Sequence, residues 1–156
     1  MNKIIKYLVV FGLLLGVTAV SVHAQNANFR SFRETKGVVT NKNKGGVYVW
    51  GPWQQSSTVF TLNISEKLIF VSDQLNNKVT KYKILDKPEK WTAKKDYKFI
   101  NFECTEFSSM DKFYIRLYEY ESGEFRINIM SPTEAMRYSV VFIKDDELQD
   151  VSFDDV

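Results

Sequence analysis

Apolar and polar residues alternate with a period of two along much of the chain after residue 34. Phe113, Ile115 and Leu117 are separated by Tyr114 and Arg116; Phe125, Ile127 and Ile129 are separated by Arg126 and Asn128. Such alternation puts one set of side chains on each face of a strand. No window sustains a 3.6-residue period, so the pattern predicts little helix. Strands are predicted over 35–40, 47–54, 58–64, 67–72, 79–85, 98–105, 112–120, 124–130 and 136–144. Turn residues punctuate them: a Gly/Asn/Lys turn at 41–46, a long connection at 86–96 holding Pro88 and Trp91, and Ser131-Pro132-Thr133, with room for a short helical turn from Thr133.

Parity fixes two hairpins. A two-residue loop at Ser122-Gly123 would set Leu117 against Asn128, a core residue against a polar one. A three-residue loop, Glu121-Ser122-Gly123, sets Leu117 opposite Ile127 and Ile115 opposite Ile129, and puts Gly123 where such a loop wants a left-handed residue. Closing 58–72 at Ser65-Glu66 sets Leu62 opposite Ile69 and Phe60 opposite Val71. Consecutive strands are then antiparallel neighbours. The fold class is all-β: a small antiparallel meander barrel or two-layer sandwich of about eight or nine strands, lipocalin-like in style by fold analogy.

The first residues follow another pattern. Lys3 and Lys6 precede an apolar run over 7–22, and Val22-His23-Ala24 has the form of a cleavage site. The run is short for a membrane span, and Gly12 and Gly16 weaken it as a helix. The organisation predicted is a signal peptide over 1–24, a polar leader over 25–33, the all-β domain over 34–144 and a disordered acidic tail over 145–156. The protein is then exported, to a periplasm or the extracellular space, with no membrane span left after cleavage.

Removing 1–24 changes the charge picture. Of 21 basic residues two are lost, so 19 balance 19 acidic ones. A neutral domain argues against nucleic acid as partner. The charge is uneven: eight lysines lie within 78–98, and the tail from Asp145 is acidic. These read as a solvated loop and tail, as a basic patch for an acidic ligand, or as a tail folded back on that patch.

The only histidine, His23, leaves with the signal peptide, so Ser-His, Cys-His and histidine-based zinc sites are excluded. Cys104 is the only cysteine and alternates with Ile100 and Phe102, which makes it a core residue that forms no intrachain disulfide. No phosphate loop or EF-hand pattern is present, and no cofactor is implied. Paired carboxylates from Glu103, Glu106, Glu119 and Glu121 would be needed for hydrolysis. Asn63-Ile64-Ser65 matches a glycosylation acceptor.

Two features point to binding. In Trp50-Gly51-Pro52-Trp53 the rings fall on opposite faces unless Gly51-Pro52 makes a bulge, in which case both could edge one barrel mouth. The alternative is one tryptophan in the core and one over a sheet end. On the outer face of the 112–130 hairpin, Tyr118 lies opposite Arg126 and Arg116 opposite Asn128, with Tyr114 and Tyr120 beside them. Such pairs stabilise sheets and also suit interaction surfaces. The candidate binding residues are Trp50, Trp53, Tyr114, Arg116, Tyr118 and Arg126.

The pieces Trp50-x-x-Trp53, 59–62, 68–72, Tyr82-x-Ile84, Phe102-x-Cys104 and Tyr138-x-Val140 come in an order that resembles small uncharacterised exported bacterial all-β proteins. The resemblance implies a fold and no activity. The reading is a non-enzymatic, monomeric binding or interaction domain for a protein or small molecule, with an inhibitor, an envelope component or a carboxylate hydrolase as alternatives.

Cleavage after Ala24 predicts an exported protein that starts at Gln25. Intact-mass measurement checks this, and Met1 retained on the exported protein would make the segment an anchor.

Overall fold

In the computed structural model, which describes residues 26–40, 47–87 and 90–144, the chain forms eleven strands. The segments read above as a signal peptide, a turn over 41–46 and an acidic tail lie outside the described residues. The strands are β1 (Ala27–Thr40), β2 (Val47–Trp50), β3 (Gln54–Gln55), β4 (Thr58–Asn63), β5 (Leu68–Asp73), β6 (Lys78–Ile84), β7 (Thr92–Ala93), β8 (Tyr97–Glu106), β9 (Lys112–Tyr120), β10 (Phe125–Met130) and β11 (Glu134–Ile143). Among the described residues there is no helix.

The sheet order β11-β10-β9-β8-β6-β5-β4-β1 closes through a β11–β1 pairing, so eight antiparallel strands make a barrel. Closure removes sheet edges and decides between barrel and sandwich. β2 and β3 pair with the far half of β1, and β7 pairs with β8.

The predicted registers hold. Leu117 faces Ile127 and Ile115 faces Ile129, and Gly123 has φ +84°. Leu62 faces Ile69 and Phe60 faces Val71. Asn63 is a turn cap, its Oδ1 accepting bonds from Ser65 Oγ and the Glu66 N–H, both at 3.0 Å.

The inward set forms the core of the barrel. Phe29, Phe60, Leu62, Ile69, Ile84, Ile115, Leu117, Ile127 and Val140 are fully buried. Phe60 meets the Tyr138 ring edge-on at 4.9 Å, and Phe29 meets Phe125 and Phe142 at 5.7 Å. Burying such rings supplies roughly 1.5–3 kcal/mol each.

Four expectations are corrected. The leader over 25–33 is strand from Ala27 onward, with Ala27 and Phe29 in the core. Its alternation is broken by a bulge: β1 shifts register against β11 between Ser31 and Arg33, leaving Phe32 as the extra residue, 48% exposed. Thr133 starts no helical turn; Ser131 N–H bonds the Glu134 carbonyl at 2.8 Å, and β11 follows directly. The predicted strand over 47–54 is two pieces, and the connection over 86–96 contains β7.

Replacing Gly123 with alanine puts a Cβ into open space, so only the backbone objects. The Gly123→Ala variant should lose about 1–2 kcal/mol, read from the shift in urea midpoint at unchanged m-value.

Candidate functional site

Trp50 pairs with Gly37, but Gln54 pairs with Glu34, so Thr35 and Lys36 face Gly51, Pro52 and Trp53. This is the bulge that the Gly-Pro pair foreshadowed. Gly51 N–H bonds the Lys36 carbonyl and the Thr35 hydroxyl donates to the Gly51 carbonyl, both at 2.8 Å.

Neither tryptophan belongs to the core, and neither lines the cavity among Tyr82, Phe113, Met136 and Tyr138. Both meet arginines of the barrel's outer wall. The Trp50 ring lies across Gly37, where a Cβ would come within 2.9 Å of it. Arg137 stacks on that ring at 3.8 Å, and Arg33 sits over Trp53 at 4.6 Å.

Pairing across β1, β11, β10, β9 and β8 generates the rest of the wall. One row runs Thr35–Arg137–Asn128–Arg116–Asn101, and the next runs Arg33–Ser139–Arg126–Tyr118–Phe99. Arg116 Nε donates to Asn101 Oδ1 at 2.5 Å, and its guanidinium lies 4.6 Å from the Phe99 ring. Arg137 Nε donates to Asn128 Oδ1 at 3.3 Å. Tyr97, Tyr118 and Tyr120 cluster with centroids 5.5–6.1 Å apart, and Arg126 covers Tyr120 at 4.7 Å. These contacts orient flat side chains and leave their outer surfaces exposed in part.

Glu124 is the carboxylate within this wall. Arg126 reaches it through Nε at 2.9 Å and Nη2 at 3.3 Å, Ser139 donates at 3.2 Å, and Arg33 lies 3.6 Å away. The Arg126 hydrogen bonds hold its carboxyl below the usual range, against a smaller opposing effect of burial.

Beside the wall lies a cleft of about 680 Å³. Tyr48 and Tyr114 flank it, Asn101, Arg116 and Met130 line it, and Asp86 and Lys87 reach it from the β6–β7 connection. Tyr48 is held by a 2.7 Å bond from its hydroxyl to the Ser131 carbonyl. Asp86 and Glu103 share this cleft, but Glu103 is paired with Lys112 at 3.5 Å and Arg116 is close by. Of the other glutamates, Glu119 pairs with Lys98 at 3.0 Å and Glu106 accepts bonds from Ser108 and Ser109 in a turn.

A smaller cavity of about 290 Å³ opens at a barrel mouth among Tyr82, Tyr138, Phe113 and Met136, with Asp73, Lys78 and Glu134 also lining it. Burial pushes both phenols up, so they stay protonated. Lysines of 78–98 serve several places: Lys81 lies over Phe107 at 4.7 Å, and Lys98 is near Trp91 as well as Glu119.

Trp50, Trp53, Arg116, Tyr118 and Arg126 thus share the outer wall, and Tyr114 stands at its edge in the cleft. Sequence reasoning missed Arg137, Tyr97 and Phe99, although their alternation with Tyr138, Ile100 and Phe102 carries the signal. Arg33 was hidden by the bulge at Phe32.

Cys104 is fully buried, and burial pushes its thiol up to about 12. The folded state therefore holds this proton more tightly than the unfolded chain. Its contribution is fully present at neutral pH and is lost as pH rises from about 9 toward about 12. Iodoacetamide at about pH 8.5 should leave the native protein unmodified and alkylate it in denaturant, read by mass spectrometry.

No family model, curated protein or solved structure matches the chain.

Proposed function

We propose that this chain is an exported, non-enzymatic binding module that holds a protein partner on the outer wall of its barrel. One observation carries the reading. Buried side chains occupy the barrel interior apart from the cavity of about 290 Å³ at one mouth, while the outer wall displays Trp50, Trp53, Tyr118, Tyr120 and four arginines stacked on aromatic rings. Tryptophan, tyrosine and arginine are the side chains that dominate interface energetics: the two aromatics combine large apolar area with a polar edge and few rotatable bonds, and arginine adds a planar fork of donors. Here they are already held by stacking and by amide partners, so docking would cost little further ordering. The export reading rests on residues 1–24.

The cleft between Tyr48 and Tyr114 supports a second reading, a small-molecule ligand. Its volume and its mix of aromatic walls with convergent polar groups suit one.

Affinity capture from the native envelope with quantitative mass spectrometry tests the first reading. A variant carrying Trp50→Ala, Trp53→Ala, Tyr114→Ala and Tyr118→Ala should lose the partner, with each hot-spot substitution weakening capture by about tenfold or more. Lys78→Gln, at the barrel mouth, should leave it intact. Undiminished capture by the quadruple variant would sink the reading.

A further inference from the structure

We propose that the row Arg137–Asn128–Arg116–Asn101 is an anion site that takes carboxylates from an acidic, extended segment of the partner. The identity of the occupant rests on the protein-binding reading above; the anion chemistry rests on the row itself.

Charge is out of balance on this wall. Arg33 and Arg126 both turn to Glu124. Among the described residues, Arg116 and Arg137 have no carboxylate within ion-pair distance. Arg137 is half-buried against the Trp50 ring and spends a single N–H on Asn128. Burial lowers its affinity for its proton, the signature of a cation that has lost water without gaining an anion. Arg116 spends Nε on Asn101 and Nη1 on the Tyr118 hydroxyl, at 3.3 Å, and it lines the cleft. The remaining guanidinium donors form planar forks suited to carboxylates.

The site is built rather than incidental. Asn128, 2% exposed, stands between the two arginines as the cross-strand neighbour of both. Asn101 closes the other end. Two strand spacings separate Arg137 from Arg116, about 10 Å. Acidic side chains two residues apart on an extended segment lie about 7 Å apart, and flexible glutamates cover the difference. Aromatic groups flank the row on both sides, with Trp50 and Tyr114 on one and Tyr118 on the other. The cleft's own carboxylates do not fill the site: Glu103 is held by Lys112, and neither it nor Asp86 forms an ion pair with Arg116 or Arg137.

The test uses the mature chain and a capped peptide of alternating Glu and Gly, with the Gln and Lys counterparts as controls. Calorimetry measures affinity, and tryptophan emission reports on the ring beneath Arg137. The Glu peptide should bind, more weakly as salt rises, and the Gln and Lys peptides should not. Arg137→Gln and Arg116→Gln should each weaken binding by about tenfold, while Lys78→Gln leaves it unchanged. If Arg137→Gln fails to fold, Arg116→Gln and perturbation of the wild-type arginine Nε resonances by the peptide decide the matter.

No binding at low salt, equal binding of the Gln peptide, or an equal loss in Lys78→Gln overturns the anion site. Tighter binding of a sulfated oligosaccharide than of the Glu peptide overturns the choice of occupant. Partner capture that needs the tryptophans, with no peptide binding, would retain the interaction face and remove the anion site. Peptide binding with capture undiminished by the outer-wall variant would do the reverse.

Discussion

β1 pairs with β11 along one edge from Asn28 to Val38, and on its other edge with β4, then β3, then β2. Both closure of the barrel and placement of the outer wall depend on that one strand. Its bulge at Phe32 lets the first half supply Phe29 to the core while the second half turns Arg33, Thr35 and Gly37 to the outside. Without the extra residue, every side chain past Phe32 would switch faces, and Gly37 would no longer lie under Trp50.

The absence of a side chain at Gly37 then organises the wall. The Trp50 ring settles on the backbone there, and the ring becomes the floor on which Arg137 lies. The second bulge, at Gly51–Trp53, brings the other indole to Arg33 on the same side. Two local irregularities therefore convert a strand-like tryptophan pair, which would otherwise straddle the sheet, into part of one surface.

The division of labour between the two faces bears on function. The inner face is a packed core that stabilises the barrel without a disulfide. The outer face carries groups that this core does not need: stacked arginines in excess of carboxylates, and tyrosines whose rings touch one another. Cross-strand pairs of this kind contribute only roughly 0.2–1 kcal/mol each to a sheet, too little to explain a half-buried arginine without an acid. The interaction surface proposed above would account for it.

The alternation of single residues was enough to determine the all-β class, the two hairpin registers and the placement of Arg116, Tyr118 and Arg126 on one outer face, because a strand's period of two is a local property. Cys104 as a core thiol followed from the same parity. Closure through β1 and β11 was not legible, since it joins segments about a hundred residues apart that share no turn. The leader was misread for a related reason: the bulge at Phe32 interrupts the period, and Arg30 and Arg33 mask the buried Ala27 and Phe29. Only the tertiary structure brought Trp50 to Arg137 and Trp53 to Arg33, because those contacts need the curvature and register of strands that are neighbours in space and not in sequence.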